Sequence, residues 1–280
     1  MKFLLISDSH LGNPTPGYHH QSVLPEPEPL FQALAEFVSE NQIDFIFHAG
    51  DIIDDGSPEQ FSGAVALLKK LPCPVYATPG NHDLMHKNSI QWMVENMPDQ
   101  FPEGKADYFL IRDGIRFNFL TTNWCSIPAF WDGTHLDSCF HPEQLRLLDD
   151  GPQDLPGILI THSPVCGLPT AQTGFPRIFH APPSGFEQQI SELTKKKNIR
   201  LILGGHNHLN LAVKKENYYA VTVSALREMP FEFKLFELNG THLKMQTCSL
   251  DQCSGIHLPY DFNKTHVQGR GCDRVLEIRL

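Results

Sequence analysis

Short apolar runs recur along the chain, and each stops at a cluster of turn-forming or metal-ligating residues. Residues 3–6 lead into Asp8-Ser9-His10, and 43–47 into Gly50-Asp51-Ile52-Ile53-Asp54. Residues 74–77 lead into Gly80-Asn81-His82-Asp83, and 158–160 into Thr161-His162-Ser163-Pro164. Residues 201–203 lead into Gly204-Gly205-His206-Asn207-His208. Unbroken apolar runs of this length predict strands buried on both faces. Helical periodicity appears at 30–41, where Phe31, Leu34, Ala35 and Val38 share a face, and at 58–70, 90–97, 142–149 and 185–197. The Pro-rich residues 24–29 predict an extended segment before the first of these helices. This alternation predicts an α/β fold. Open α/β sheets bind ligands beyond the carboxyl ends of their strands, which is where all five polar clusters fall.

After His208 the pattern changes. Residues 218–223, 231–238, 243–248 and 275–280 read as antiparallel strands, with a hairpin turn at Asn239-Gly240. Residues 108–111 and 117–120 read as a second hairpin around Asp113-Gly114. The expected architecture is two sheets packed face to face with helices outside. With 280 residues and no internal repeat or low-complexity linker, the chain is expected to form a single domain over 1–280, with about 240–280 readable as a C-terminal extension.

Composition narrows the function. No apolar run approaches the length of a membrane span, and 1–6 lead into polar residues without a cleavage signal, so a cytoplasmic location is expected. The net charge of −10 gives no basic footprint for duplex nucleic acid. Seven scattered cysteines without a Cys-x-x-Cys pair predict unpaired buried thiols, Cys248, Cys253 and Cys272 included, in place of a disulfide framework or thiolate zinc site. Fifteen histidines direct attention to metal ligation.

Asp8 and His10 are two residues apart just after a strand, where extended geometry points both side chains the same way, and His206 and His208 repeat the spacing. Asp51 is a carboxylate able to bridge two cations, Asn81 offers an amide oxygen and His162 a further imidazole. This mixed nitrogen and oxygen set suits manganese, iron, zinc or cobalt, and is too rich in imidazole for calcium or magnesium alone. Two such ions would clamp a phosphate ester and produce hydroxide at neutral pH. His82 is assigned to the leaving-group side as proton donor or charge stabiliser, which Asp54 could orient by accepting a hydrogen bond from its other nitrogen.

The series Asp8-x-His10, Gly50-Asp51-x-x-Asp54, Gly80-Asn81-His82-Asp83, Thr161-His162-x-Pro164, Gly205-His206-x-His208 resembles the calcineurin-like metallophosphoesterase superfamily from residue 3 to about 210. The resemblance implies a four-layer αββα sandwich of two mixed sheets. It implies one metal on Asp8, His10, Asp51 and His208, a second on Asp51, Asn81, His162 and His206, and a catalytic pair of His82 and Asp54. Asp55 stands where the protein-phosphatase branch has arginine, and the motifs are closer to the bacterial cyclic-nucleotide and glycerophosphodiester phosphodiesterases. Leu11-Gly12-Asn13 and Gly56-Ser57-Pro58 also resemble a nuclease subunit of double-strand-break repair. The expected activity is hydrolysis of a small phosphodiester, a nucleotide among the candidates, by metal-activated hydroxide. The carboxylate of Asp55 is expected to disfavour doubly charged monoesters. The rivals are a phosphomonoesterase with the same site, a nuclease and a non-catalytic member.

Several further residues are weaker candidates. His19 and His20 are expected in a solvated loop, with substrate contact as the alternative. Trp124, Phe130 and Trp131 are expected to wall the pocket or stack on a base, or else to form satellite core. Lys195-Lys196-Lys197 is expected as a solvated helix end. Arg177 and His180 are candidates for meeting a phosphate.

Overall fold

The computed structural model describes residues 1–12, 17–124, 127–135, 137–251 and 255–280. Asn13, Cys125 and Cys253 therefore lie outside the described residues.

Three parallel strands run side by side in the first sheet: β1 (Lys2–Ile6), β2 (Phe45–His48) and β3 (Val75–Ala77). Helices α1 (Glu28–Asn41) and α2 (Pro58–Leu68) make the crossovers between them. Helix α3 (Ser89–Asn96) follows β3. The hairpin β4 (Tyr108–Arg112) and β5 (Ile115–Phe119) opens the second sheet. Next come α4 (Pro142–Leu147), β6 (Gly157–Ile160), the single turn α5 (Thr170–Thr173), α6 (Ser184–Lys196) and β7 (Ile199–Gly204). The chain finishes with β8 (Leu211–Lys214), β9 (Tyr219–Thr222), β10 (Glu232–Asn239), β11 (His242–Ser249), α7 (Gly271–Arg274) and β12 (Val275–Arg279). The sheet orders are β12-β11-β10-β1-β2-β3 and β4-β5-β6-β7-β9-β8, and both sheets are mixed.

The sheets pack through aromatic rings. Phe3, Phe45 and Phe47 project from one face of β1 and β2 and meet Phe117 of β5 at ring separations of 5.7, 5.9 and 5.1 Å. Strand alternation sends Leu4 and Ile46 to the opposite face, where Phe31, Leu34 and Val38 of α1 join the same core. On the outer face of the second sheet, Phe186, Ile190 and Leu193 of α6 pack with Leu159, Ile199 and Ile202. The result is the expected αββα sandwich, and the double-sided burial explains why these strands read as continuous apolar runs.

Three local expectations are revised. Helix α1 begins at Glu28, two residues before the expected start, because Pro29 suits the first helical turn, where its missing N–H costs nothing. Strand β9 lies parallel to β7 and antiparallel only to β8, which the apolar pattern did not reveal. Among the described cysteines all five are free, but only Cys166 is fully buried and Cys272 is exposed. No helix among the described residues is long and apolar enough to cross a membrane.

Candidate metal centre

The parallel strands β1, β2, β6 and β7 end at one edge of the sandwich, and backbone hydrogen bonds tie their loops together. Asp8 N donates to Gly50 O and His10 N to Asp51 O, each at 3.0 Å. Gly205 N donates to His162 O at 3.0 Å. The loops depart from the expected extended geometry: Asp8, His10, Asp51, His206 and His208 all have positive φ, between 40° and 69°. Such left-handed backbone at non-glycine residues costs energy, and it gathers where a fold holds functional groups in place. Gly205 permits the close approach of β7 to β1, since a Cβ there would collide with Ser7 Oγ and lie 2.5 Å from Asp8 Oδ2.

All seven predicted donors converge, as two groups on either side of Asp51. In the first, His10 Nε2 faces His208 Nε2 at 3.2 Å, while Asp8 Oδ1 lies 3.4 Å from His208 Nε2 and 3.9 Å from His10 Nε2. In the second, His162 Nε2 lies 3.2 Å from Asn81 Oδ1 and 3.3 Å from His206 Nδ1. Asp51 Oδ2 stands between the groups, 3.7 Å from His10 Nε2 and 3.2 Å from His162 Nε2. The Asp8, His10, His208 set and the Asp51, His162, His206 set each present ligand atoms mutually close enough to hold one cation.

The hydrogen bonds behind the rings show that these donors fit cations. His162 Nδ1 donates to Ala49 O at 2.7 Å and His208 Nδ1 to Glu228 Oε1 at 2.6 Å. Each Nδ1 is thereby committed outward, leaving Nε2 as the atom that faces the cluster. Lone pairs and carboxylates crowded at 3–4 Å repel one another unless a positive charge sits among them. The electrostatics express that demand. Burial opposes charge on His208, but Asp8 beside it outweighs burial and lifts the ring to about 10. Burial likewise opposes charge on His162, yet Asp51 raises it to about 9. Burial raises the Asp8 and Asp51 carboxyls, and the neighbouring histidines override it, holding both below the ordinary carboxylate range.

His82 borders the first group, with its ring 4.8 Å from that of His10. Its Nδ1 donates to the main-chain carbonyl of Asp54 at 2.9 Å, whereas the Asp54 carboxylate is 3.6 Å away. That carboxylate instead accepts from the Tyr18 hydroxyl and lies 3.4 Å from His10 Nδ1. Asp55 Oδ1 accepts from Ser57 N at 2.9 Å, which holds this carboxylate at the start of α2.

Several contributors had no role in the sequence analysis. Glu228 is buried and accepts from both His208 and His19 Nδ1 (2.7 Å), and from the amides of His20 (3.0 Å) and Gln21 (2.8 Å). His19 is therefore buried against Glu228 and does not belong to a solvated loop. Tyr18 OH lies 2.8 Å from His10 Nδ1 and links that ring to Asp54. Asp83 sat unassigned in the third motif. Its carboxylate accepts from the amides of Ile52 (3.2 Å), Ile53 (2.9 Å) and Gly80 (2.8 Å), clamping the second motif loop to the third. Glu228 leaves no comparable mark in the sequence, being a single acidic residue between β9 and β10.

Trp124 is buried 6.2 Å from the His162 and His206 rings, and Trp131 stands 5.4 Å from His82. Arg177 and His180 line a cleft of about 750 Å³ that also touches His206. Arg227 lies beneath the site with its guanidinium on the carbonyls of His10 (2.5 Å) and Leu24 (2.7 Å).

Over residues 1–210 the sequence matches the calcineurin-like phosphoesterase family. It is similar to a probable cyclic nucleotide phosphodiesterase of Fibrobacter succinogenes, with 25% identity over 221 residues, 78% of this chain and 76% of that one. A 3',5'-cyclic-nucleotide phosphodiesterase of Nostoc sp. is 21% identical over 202 residues, covering 71% and 68%. The fold superposes on a dimetal phosphatase from Danio rerio with a TM-score of 0.70 at 14% identity, covering 99% and 98% of the two chains, a likeness of fold alone. Since the family match takes in all five motif blocks, the chain belongs to the calcineurin-like phosphoesterases, which are metal-dependent phosphoester hydrolases.

Proposed function

We propose that the protein is a phosphodiesterase working with two divalent transition-metal ions, drawn from manganese, iron, zinc or cobalt. The observation that carries this reading is the pair of donor groups sharing Asp51. Asp8, His10 and His208 would hold one ion, Asn81, His162 and His206 the other, and Asp51 both. Bound there, the two cations supply a water-derived nucleophile at neutral pH and neutralise the phosphate oxygens.

The remaining chemistry falls to side chains. With Nδ1 committed to the Asp54 carbonyl, His82 presents Nε2 beside the cluster, and as imidazolium it passes that proton to the departing alkoxide. Glu228 keeps His208 in the ligating tautomer, and Tyr18 with Asp54 does the same from the far side of His10. The diester preference is supported by the cyclic-nucleotide phosphodiesterases to which the chain is similar. The whole chain is proposed to act as one domain, since β11 and β12 extend the sheet that contains β1.

The test is a side-by-side assay of manganese-loaded protein. Bis(p-nitrophenyl) phosphate is expected to show higher kcat/KM than p-nitrophenyl phosphate. A monoester preference overturns the diester reading.

A further inference from the structure

The cleft beside His206 is walled by the segment 175–183, between α5 and α6. Its volume of about 750 Å³ is that of a small-molecule site and far exceeds what a phosphate needs. It opens directly off the donor cluster, since His206 and Ser163 belong to its lining. Aromatic rings lead outward from the cluster: His180 lies 5.9 Å from His206, Phe179 4.1 Å from His180, and Phe175 5.2 Å from Phe179. Phe175 and Ile178, both in the lining, leave 39% and 56% of their surface exposed.

The segment is anchored, not adventitious. Phe179 and Leu168 exchange backbone hydrogen bonds at 2.8 and 3.3 Å. Gly167 admits the wall, because a Cβ there would collide with Ile178 and lie 3.0 Å from Ala181 Cα. His180 is held at φ 48°, a conformation rarely adopted without a reason in the surrounding structure.

Resting on the phosphodiester reading above, we propose that this cleft binds a planar aromatic ring carried on the ester's alcohol, in chemical class a nucleobase. Phe175, Phe179 and His180 place aromatic side chains in its lining, and Arg177 adds a planar guanidinium of the kind that stacks on aromatic systems. A glycerol-type alcohol has no surface to match these walls.

The test compares adenosine 5'-monophosphate with ribose 5-phosphate, which differ by the base. Both are titrated calorimetrically into manganese-loaded protein and assayed as inhibitors of bis(p-nitrophenyl) phosphate hydrolysis. The nucleotide is expected to bind about 10-fold more tightly, within the range of stacking on aromatic side chains. Phe179→Ala and, separately, Arg177→Ala on an exposed side chain should shrink that ratio towards one, with ribose 5-phosphate affinity held. Equal binding by the wild type, or an undiminished ratio in both variants, overturns the proposal. If the reporter ester is not hydrolysed, the phosphodiesterase reading fails, and the calorimetric ratio still decides the cleft.

Discussion

Glu228→Gln is a nearly isosteric change that removes one charge from beneath His208. Oε1 accepts from His208 and His19, and Oε2 from the amides of His20 and Gln21. A glutamine cannot satisfy both sides. With its oxygen towards the histidines, its NH2 opposes two main-chain N–H groups, leaving buried donors unpaired at about 1–3 kcal/mol each. With its NH2 towards the histidines, His208 must accept at Nδ1 and carry its proton on Nε2, the atom that faces His10 at 3.2 Å. A protonated Nε2 cannot ligate. Loss of such an outer partner typically weakens metal binding about 10–100-fold, equivalent to roughly 1.4–2.7 kcal/mol. The assay is manganese titration against a competing chelator, paired with diester hydrolysis at each free metal concentration. The variant should need about 10–100-fold more metal for half-maximal activity and approach wild-type turnover at saturation. Metal affinity equal to wild type in a folded variant would refute the role given to Glu228.

Other perturbations separate the remaining parts. Asp51→Asn should weaken both metal sites together and lower the melting temperature in excess manganese, because bound ions stabilise the native state; loss of only one ion by elemental analysis would remove Asp51 as the bridge. His82→Ala should reduce kcat by about 10²–10⁴-fold with metal content retained. A lost ion in that variant would instead make His82 a ligand, as its proximity to His10 and Asp51 permits. Lys234 is buried, donating to Thr247 Oγ1 (2.8 Å) and Asp273 O (2.9 Å), and burial lowers its ammonium to about 7. Between pH 7 and about 10 the unfolded chain therefore holds more protons at this residue than the folded one. Denaturant unfolding should show wild type gaining stability relative to Lys234→Met as pH rises through that window, and a flat difference would count against a neutral buried amine.

Much of the site was legible because its residues carry strong local constraints. The strands that end at polar clusters are largely buried on both faces, with Tyr76 of β3 and Arg200 of β7 as exceptions, so their apolar runs are long and their ends conspicuous. Other features depend on partners distant in sequence. Nothing within 218–223 encodes that β7 lies parallel beside it. Glu228 reaches His208 from a segment docked against the end of β1, where Leu226 N hydrogen-bonds to Ser7 O. Positive φ at both Asp8 and His10, not the extended geometry that their spacing suggests, aims the two side chains together.

The central claim is that seven side chains hold two metal ions on which phosphodiester hydrolysis depends. Metal-stripped protein titrated with manganese, with bound metal and bis(p-nitrophenyl) phosphate hydrolysis followed together, tests it most directly. The account predicts binding that saturates at two ions per chain, with activity appearing as the second is filled. Saturation at one ion or none, or full hydrolysis by the stripped protein, would contradict it.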